Sequence, residues 1–431
     1  MDLLAGRLSN RGMKLYFKFA LLIFALLTSA NIYAQVPVRT IPVKPKKGDT
    51  TGYKPDTVVT VKKGVKQLDM ADVLEGLFNI KPTEKPDTVT SKPSFSVVPA
   101  FGYTLVSKFA VVVSGNSAFR TGPNSRISTI TASTSVTQNK QITLPILSNI
   151  WSKDNGWNYV GDYRLYKYPQ STFGLGSSSN IKNEDPMDYS YFQFYETALR
   201  HITGNIYLGL GYIIDDHWNV TDKGDLNGTV SDYSRYGESA HSIASGFTFN
   251  GLLDSRDNGI NPSKGAYLAF EYRDNYSFLG STDSWRSLTI DVRKYIRFPE
   301  DSENVLALWN FEWLTLSGKP AYLDLPSTQW DAYSATGRGY IQGRFRGADM
   351  VYAEAEYRYR ITDNGLIGGV FFLNGESLSA APGTPLQGIQ PGFGPGLRIK
   401  LNTISKTNIS IDYGFGREGS NGLFIDVGEI F

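Results

Sequence analysis

Val351–Arg360 reads VYAEAEYRYR. In an extended chain Val351, Ala353, Ala355, Tyr357 and Tyr359 share one side, and Tyr352, Glu354, Glu356, Arg358 and Arg360 share the other. One face is apolar and the opposite face carries two carboxylates and two guanidiniums. That division suits a strand with lipid on one side and a water-filled lumen on the other. A strand of a soluble sandwich also alternates, but its polar face lies outside, and turn signals recur about every 8–12 residues.

The same period recurs in both directions along the chain. In Ile206–Ile214 the side chains of Ile206, Leu208, Leu210, Tyr212 and Ile214 alternate with Tyr207, Gly209, Gly211 and Ile213. In Leu288–Arg293, Leu288, Ile290 and Val292 alternate with Thr289, Asp291 and Arg293. Ile409, Ile411 and Tyr413 alternate with Ser410 and Asp412. About sixteen such runs fit between residues 95–103 and 423–431, and an even number is what a single-chain bacterial barrel requires. Thr203-Gly204 and Thr362-Asp363-Asn364 read as tight turns, whereas the intervals 218–239, 318–348 and 376–390 are long. Short turns at one end and long loops at the other are the mark of an outer-membrane barrel. The expected fold is all-β: a transmembrane antiparallel β-barrel over residues 93–431, with both chain ends on the periplasmic side.

Just before the opening stretch, Gly337–Gly347 reads GRGYIQGRFRG. Three arginines, four glycines and two aromatics in this span show no helical period, and the glycines disfavour a solvated helix. The stretch reads as a permissive charged loop that fits into something.

Composition agrees with a barrel. Aromatics make up 13%, with 26 tyrosines and 43 glycines among 431 residues, as aromatic girdles and close strand packing need. The net charge of +2 gives no electrostatic pull toward nucleic acid, so no nucleic-acid partner is expected. The absence of cysteine removes disulfides, thiolate metal sites, cysteine nucleophiles and a lipidated N-terminal cysteine. The three histidines, His201, His217 and His241, have no metal-ligand spacing.

Residues 1–34 are expected to be a signal peptide. Lys14 and Lys18 form its basic start, Phe19–Leu27 its apolar core, and Ile32-Tyr33-Ala34 a cleavage site before Gln35; Met1 and Met13 both remain possible starts. The apolar run is shorter than the ~20 residues of a helical span, and no run of that length follows. Residues 35–92 are Pro/Lys-rich and too polar to fold alone, so they read as a periplasmic linker. Within them Leu68–Ile80 (LDMADVLEGLFNI) has one apolar helical face, with Asp69 or Asp72 available at its N-terminus. It reads as a short helix near 68–80, either docking or plugging in the periplasm or lying on the barrel base or the membrane.

No catalytic constellation emerges, and neither enzyme activity, a metal nor a cofactor is expected. Gly392-Phe393-Gly394-Pro395-Gly396 lacks the Lys-Ser/Thr of a phosphate loop and reads as a strand with close backbone packing. Glu354 and Glu356 share their face with Arg358 and Arg360, which makes a charge-balanced wall plainer than an acid/base pair. Asp254–Asn258 lacks the ligand spacing of a calcium loop.

Several motifs, in order, resemble those of the BamA/TamA outer-membrane assembly family, the bacterial surface antigens. Leu253–Gly265 (LDSRDNGINPSKG) resembles that family's D-S-R-D-N-x-x-x-P-x-K-G turn, with Asp254, Ser255, Arg256, Asp257, Asn258, Pro262 and Gly265 in place. Gly337–Tyr340 resembles its V-R-G-F/Y loop, and Ala355–Arg358 the A-E-Y/F-R run that follows. Gly394–Leu397, Asp412–Gly414 and Gly428–Phe431 resemble its closing strands. Together these cover about residues 95–431. The resemblance implies an arginine loop folded into the lumen, with Arg338, Gly339 and Tyr340 locked against the wall and Arg338 paired to Glu356. The family's further Asp on the next strand corresponds to Asn374, so a hydrogen bond is expected to replace part of an ion pair. Gly428 and Phe431 would belong to a C-terminal insertion signal read by the outer-membrane assembly machinery. Only about 58 residues separate Ala34 from the barrel, too few for the family's periplasmic client-receiving modules, so a short, barrel-only member is expected.

Three functions stay open. The resemblance implies a module that inserts or translocates client outer-membrane or surface proteins. The alternatives are a passive pore and a structural or partner-binding barrel. All three imply the outer membrane of a Gram-negative cell, with lipid and lipopolysaccharide around the barrel and the N-terminal tail in the periplasm.

Overall fold

The computed structural model of the protein describes residues 65–79, 89–104 and 107–431. The expected signal peptide and most of the linker lie outside the described residues.

Seventeen strands form one sheet. They are β1 (Ser94–Thr104), β2 (Lys108–Arg120), β3 (Ile127–Thr137), β4 (Ile142–Trp151), β5 (Trp157–Lys167), β6 (Gln170–Thr172), β7 (Asp185–Thr203), β8 (Ile206–Asp222) and β9 (His241–Asp254). Then follow β10 (Gly265–Asn275), β11 (Arg286–Arg297), β12 (Val305–Ser317), β13 (Asp349–Arg360), β14 (Ile367–Leu378), β15 (Gln390–Asn402), β16 (Thr407–Phe415) and β17 (Asn421–Val427). Each long strand pairs antiparallel with the next. The three-residue β6 pairs only with β7, and β5 passes directly to β7. Sixteen strands therefore span, in a nearly closed antiparallel barrel. β17 lies beside β1, yet among the described residues no hydrogen-bonded register joins them, unlike every other neighbouring pair.

Alternation sets which way each side chain faces. On β13 Tyr352, Glu354, Glu356 and Arg358 are buried while Ala353, Ala355 and Tyr357 are partly exposed. The outer face carries a belt of exposed apolar side chains, among them Val111, Leu144, Phe194, Leu210, Phe249, Phe371 and Phe393. In water such a belt would be costly, but against lipid it is the expected surface.

Strand length varies around the ring. β7 and β8 have 19 and 17 residues, whereas β4 has 10 and β17 has 7. The sequence pattern places the end of β8 near 217, and the strand runs five residues further, to Asp222. The extension is held by Tyr189, Tyr191 and Val220, which pack with Tyr233 of the 223–240 loop and with Tyr322 and Leu325 of the 318–348 loop. These aromatics form a second core above the barrel, at its long-loop end.

At the opposite end, helix α1 (Met70–Leu77) is seated on the turns. Asp69 caps it and Asp72 caps back, a reciprocal pair that satisfies two free amides. The other Asp69 oxygen accepts the Thr403 amide and hydroxyl, both at 3.0 Å. Leu68 N donates to Asn364 O at 3.0 Å, and Gln67 accepts from Arg360 Nη2 at 2.6 Å. Leu77 and Phe78 remain exposed.

Candidate functional site

The 318–348 loop leaves β12 and returns to β13, and its Gly337–Gly347 stretch packs against the inner faces of β13–β16. Small residues make the approach possible. The inner face of β15 presents Gly392, Gly394 and Gly396; a Cβ on Gly392 would lie 2.4 Å from the Arg338 carbonyl oxygen. Gly339 has φ +113° and a Cβ there would meet Phe415 O at 2.7 Å, while one on Gly414 would meet Gly339 N at 2.6 Å. Loop and β16 thus touch backbone to backbone, which glycine alone allows.

Arg338 is 1% exposed. Its Nη1 donates to Asp412, and its Nη2 to Glu354 and Glu356. The guanidinium lies 3.9 Å from the Phe372 ring centre. Two further arginines complete the cluster. Arg358 Nε donates to Glu356 at 2.7 Å, and Arg398 donates to Asp412 at 2.5 Å and to Glu429 at 2.8 Å. Three guanidiniums thus face four carboxylates: Glu354, Glu356, Asp412 and Glu429. Buried charges persist only when paired and hydrogen-bonded in this way. Burial alone would weaken the hold of Arg338 on its proton; the carboxylates of Glu354, Glu356 and Asp412 outweigh it and hold its pKa above the ordinary arginine value.

The structure brings Arg338 to Glu356 and adds two partners that the sequence reading did not assign. Glu354 stands one inward position before Glu356. Asp412 could have been found from the alternation of Ile409, Ile411 and Tyr413, which turns it inward. Asn374 differs from expectation in its target. Its Nδ2 donates to the main-chain oxygen of Arg338 at 3.0 Å, so it holds the loop backbone, not the guanidinium. The acidic partner comes from Asp412, two strands further on. Tyr340 donates its hydroxyl to Pro391 O at 2.6 Å, accepts the Arg417 amide at 3.1 Å, and packs edge-on against Phe345.

The other two arginines of the stretch act differently. Arg344 reaches Ser179 O at 2.9 Å and Glu418 at 3.2 Å, so it ties three loops together. Arg346 points its Nη1 at the carbonyl oxygens of Tyr322, Leu323 and Leu325, at 3.0–3.3 Å. Burial lowers its pKa from the ordinary value.

The Asp254–Gly265 motif forms a self-bonded connection between β9 and β10. Asp254 accepts from Arg256 Nε and Nη2, both at 2.9 Å, and pairs with Arg126 of the neighbouring β2–β3 turn at 3.2 Å. Asp257 accepts the Ser263 amide and hydroxyl, and Asn258 accepts the amides of Ile260 and Asn261. Ser255 bonds Ala266 across the turn, Pro262 is buried, and Gly265 has φ +106°.

The last strand is shorter than the pattern suggests. β17 ends at Val427, so Gly428–Phe431 is not strand. Gly428, at φ +137°, turns the chain inward. Glu429 is drawn to Arg398 and, at 3.7 Å, to Arg358. Phe431, 4% exposed, stacks on Trp309 at 5.1 Å, and Arg358 donates to its carbonyl oxygen at 2.9 Å. The side chain expected on an alternating strand is instead packed inside the barrel, where the Trp309 and Tyr295 rings cover it.

His217 is buried, with Nδ1 3.3 Å from Asp324 and its ring stacked on Tyr191. Among the described residues no group of three acidic or histidine side chains is placed to hold a metal ion.

Similar architectures occur in solved barrels. BamA from Haemophilus ducreyi lacking POTRA domains 1–3 aligns at 14% identity and TM-score 0.49, over 78% of this chain and 69% of that one. CdiB from Acinetobacter baumannii aligns at 12% and 0.48, over 78% and 60%, and CdiB from Escherichia coli at 10% and 0.49, over 80% and 62%. The chain thus spans less than two thirds of the length of either CdiB. Among curated protein sequences none matches it. Residues 121–422 match the Omp85 superfamily domain. That match covers most of the barrel, including the loop, its carboxylate partners and the Asp254–Gly265 turn, and the chain belongs to the Omp85 superfamily of outer-membrane β-barrels.

Proposed function

We propose that this barrel inserts or translocates proteins at the outer membrane by parting β17 from β1. The carrying observation is the seam. Fifteen neighbouring strand pairs are zipped in register, but among the described residues β1 and β17 are not. Separating them breaks few main-chain hydrogen bonds, whereas any other opening must break a full ladder. The Arg338 cluster sits on β13–β16, next to the seam, and fixes the loop that braces this side of the wall. The chain has no native cysteine, so a cysteine introduced into each of β1 and β17 crosslinks without competition. Depletion of the protein should lower a defined set of outer-membrane or surface proteins, and the uncrosslinked variant should restore them while the crosslinked one does not. Full restoration by the crosslinked form would sink the reading.

A passive conduit has one observation in its favour: a cavity runs the height of the barrel beside β2–β5. Under that reading, removal of 337–347 raises conductance in planar bilayers. Failure of both forms to conduct would exclude it.

A further inference from the structure

The lumen is divided. Beside β12–β16 it is packed and charged; beside β2–β4 it is open and its wall carries no charge. The open side is a cavity of about 600 Å³ that reaches from Gln141 at the long-loop end to Gly259 at the turn end. Between Phe109 and Phe119, and throughout β3 and β4, the sequence contains no charged residue. The wall there offers hydroxyls and amides, including Asn116, Thr131, Ser135 and Thr143. Asn116 donates to Thr131 at 2.8 Å, and Ser135 and Thr143 share a hydrogen bond of 2.6 Å. Tyr166 and Tyr333 also face the cavity, and the Tyr333 ring is 50% exposed.

The guanidiniums that border the space are already paired, and of the bordering carboxylates Asp426 has no ion pair among the described residues and accepts the Val427 amide at 2.6 Å. Arg164 holds Asp162 through two bonds of 2.9 and 2.7 Å, and Arg293 holds Asp291 through two of 2.8 and 2.6 Å. An anionic ligand would have to break a two-point pair to gain a guanidinium partner, which is costly at a buried site.

We propose that this cavity binds an uncharged oligosaccharide. Sugar hydroxyls both donate and accept, as do the Ser and Thr side chains of the wall, and Asn offers one group of each kind. The apolar C–H faces of sugar rings pack on flat tyrosine rings, as other apolar groups do on aromatic faces. The volume lies within the roughly 300–1,000 Å³ of small-ligand sites. An extended polypeptide fits less well. The main chains of β2–β5 are consumed in their own ladders, so this wall offers it no strand edge to pair with. This inference is independent of the seam: a barrel that inserts proteins and binds no saccharide fails this test alone.

The test uses the full chain in lipid nanodiscs, titrated with maltohexaose, cellohexaose and chitohexaose and with a Gly-Ser hexapeptide. Binding is read by saturation-transfer NMR and calorimetry. At least one saccharide should bind and the peptide should not. Tyr333→Ala, at a half-exposed loop position, and Thr131→Val, a near-isosteric change, should each weaken saccharide affinity about tenfold, the loss expected for one ring face or one hydrogen bond. Binding by none of the three saccharides overturns the proposal, as does equal binding of the peptide or an affinity unchanged in both variants.

Discussion

Replacing Arg338 with alanine takes one cation from a buried cluster of three guanidiniums and four carboxylates. The side chain contacts Glu354, Glu356 and Asp412, all fully buried. Breaking one buried ion pair costs about 3–5 kcal/mol, because the abandoned partner keeps its desolvation penalty. Arg358 and Arg398 still hold Glu356 and Asp412, so the lower end of that range, about 3 kcal/mol, applies to the anchoring of the loop. At 1.4 kcal/mol per tenfold, this raises the population with a released loop about 150-fold. Cleavage of a transiently opened segment follows that population when reclosing is fast. Limited digestion with chymotrypsin, mapped by mass spectrometry, should therefore cut within 318–348 about two orders of magnitude faster in Arg338→Ala than in the parent. Arg338→Lys should fall between them. It keeps the charge but replaces a planar fork, which spans Asp412 on one side and both glutamates on the other, with a single ammonium. If Arg338→Ala and Glu356→Gln both digest at the parental rate, the cluster does not hold the loop.

Three other changes probe neighbouring contacts. Gly414→Ala places a methyl 2.6 Å from Gly339 N, and the overpacking should cost about 1–3 kcal/mol, seen as faster cutting of the same loop. Asn374→Asp, which restores the acidic residue the family resemblance implies, should loosen the loop by about 1–3 kcal/mol, because a carboxylate cannot donate to the Arg338 carbonyl oxygen; slower digestion would refute that assignment. Asp69→Ala removes both the α1 cap and the acceptor for Thr403. With about 0.5–2 kcal/mol lost from the cap alone, hydrogen exchange over 66–79 should accelerate while exchange in β13–β16 stays unchanged.

Much of the architecture could be read from period two alone, because in a membrane barrel each strand must divide its side chains between lipid and lumen. The alternating run Val351–Arg360 lies within β13 and ends with it at Arg360, and Ile409–Tyr413 lies within β16, two residues short of each end. Alternation fails where side chains have partners beyond the barrel wall. The last residues of β8 are held by contacts with Tyr233 and Tyr322, residues 13 and 102 positions away from Val220 in sequence, which no local pattern reports. The tail after Val427 departs from the strand because Glu429 and Phe431 find partners inside, on strands far away in the chain. In the site, Glu356 was legible from its inward position beside a conspicuous arginine loop. Asp412 carried the same signal but stood two strands beyond the expected acidic position. The target of Asn374 depends on which atom of the loop reaches it, and residue type does not encode that.

The unequal strand lengths shape the rim. At about 3.4 Å per residue and a tilt near 45°, the 19 residues of β7 climb about 46 Å and the 10 of β4 about 24 Å. The apolar band of an outer-membrane barrel is about 25 Å tall. The cylinder is thus cut obliquely, like a quill. Its low lip, at β1–β4, ends at headgroup level; its high lip, at β7–β8, stands clear of the bilayer at the long-loop end. Gln141, at the mouth of the neutral cavity, belongs to the low lip. Lipid headgroups around the barrel therefore lie level with that mouth, while the wall at β7–β8 rises above them.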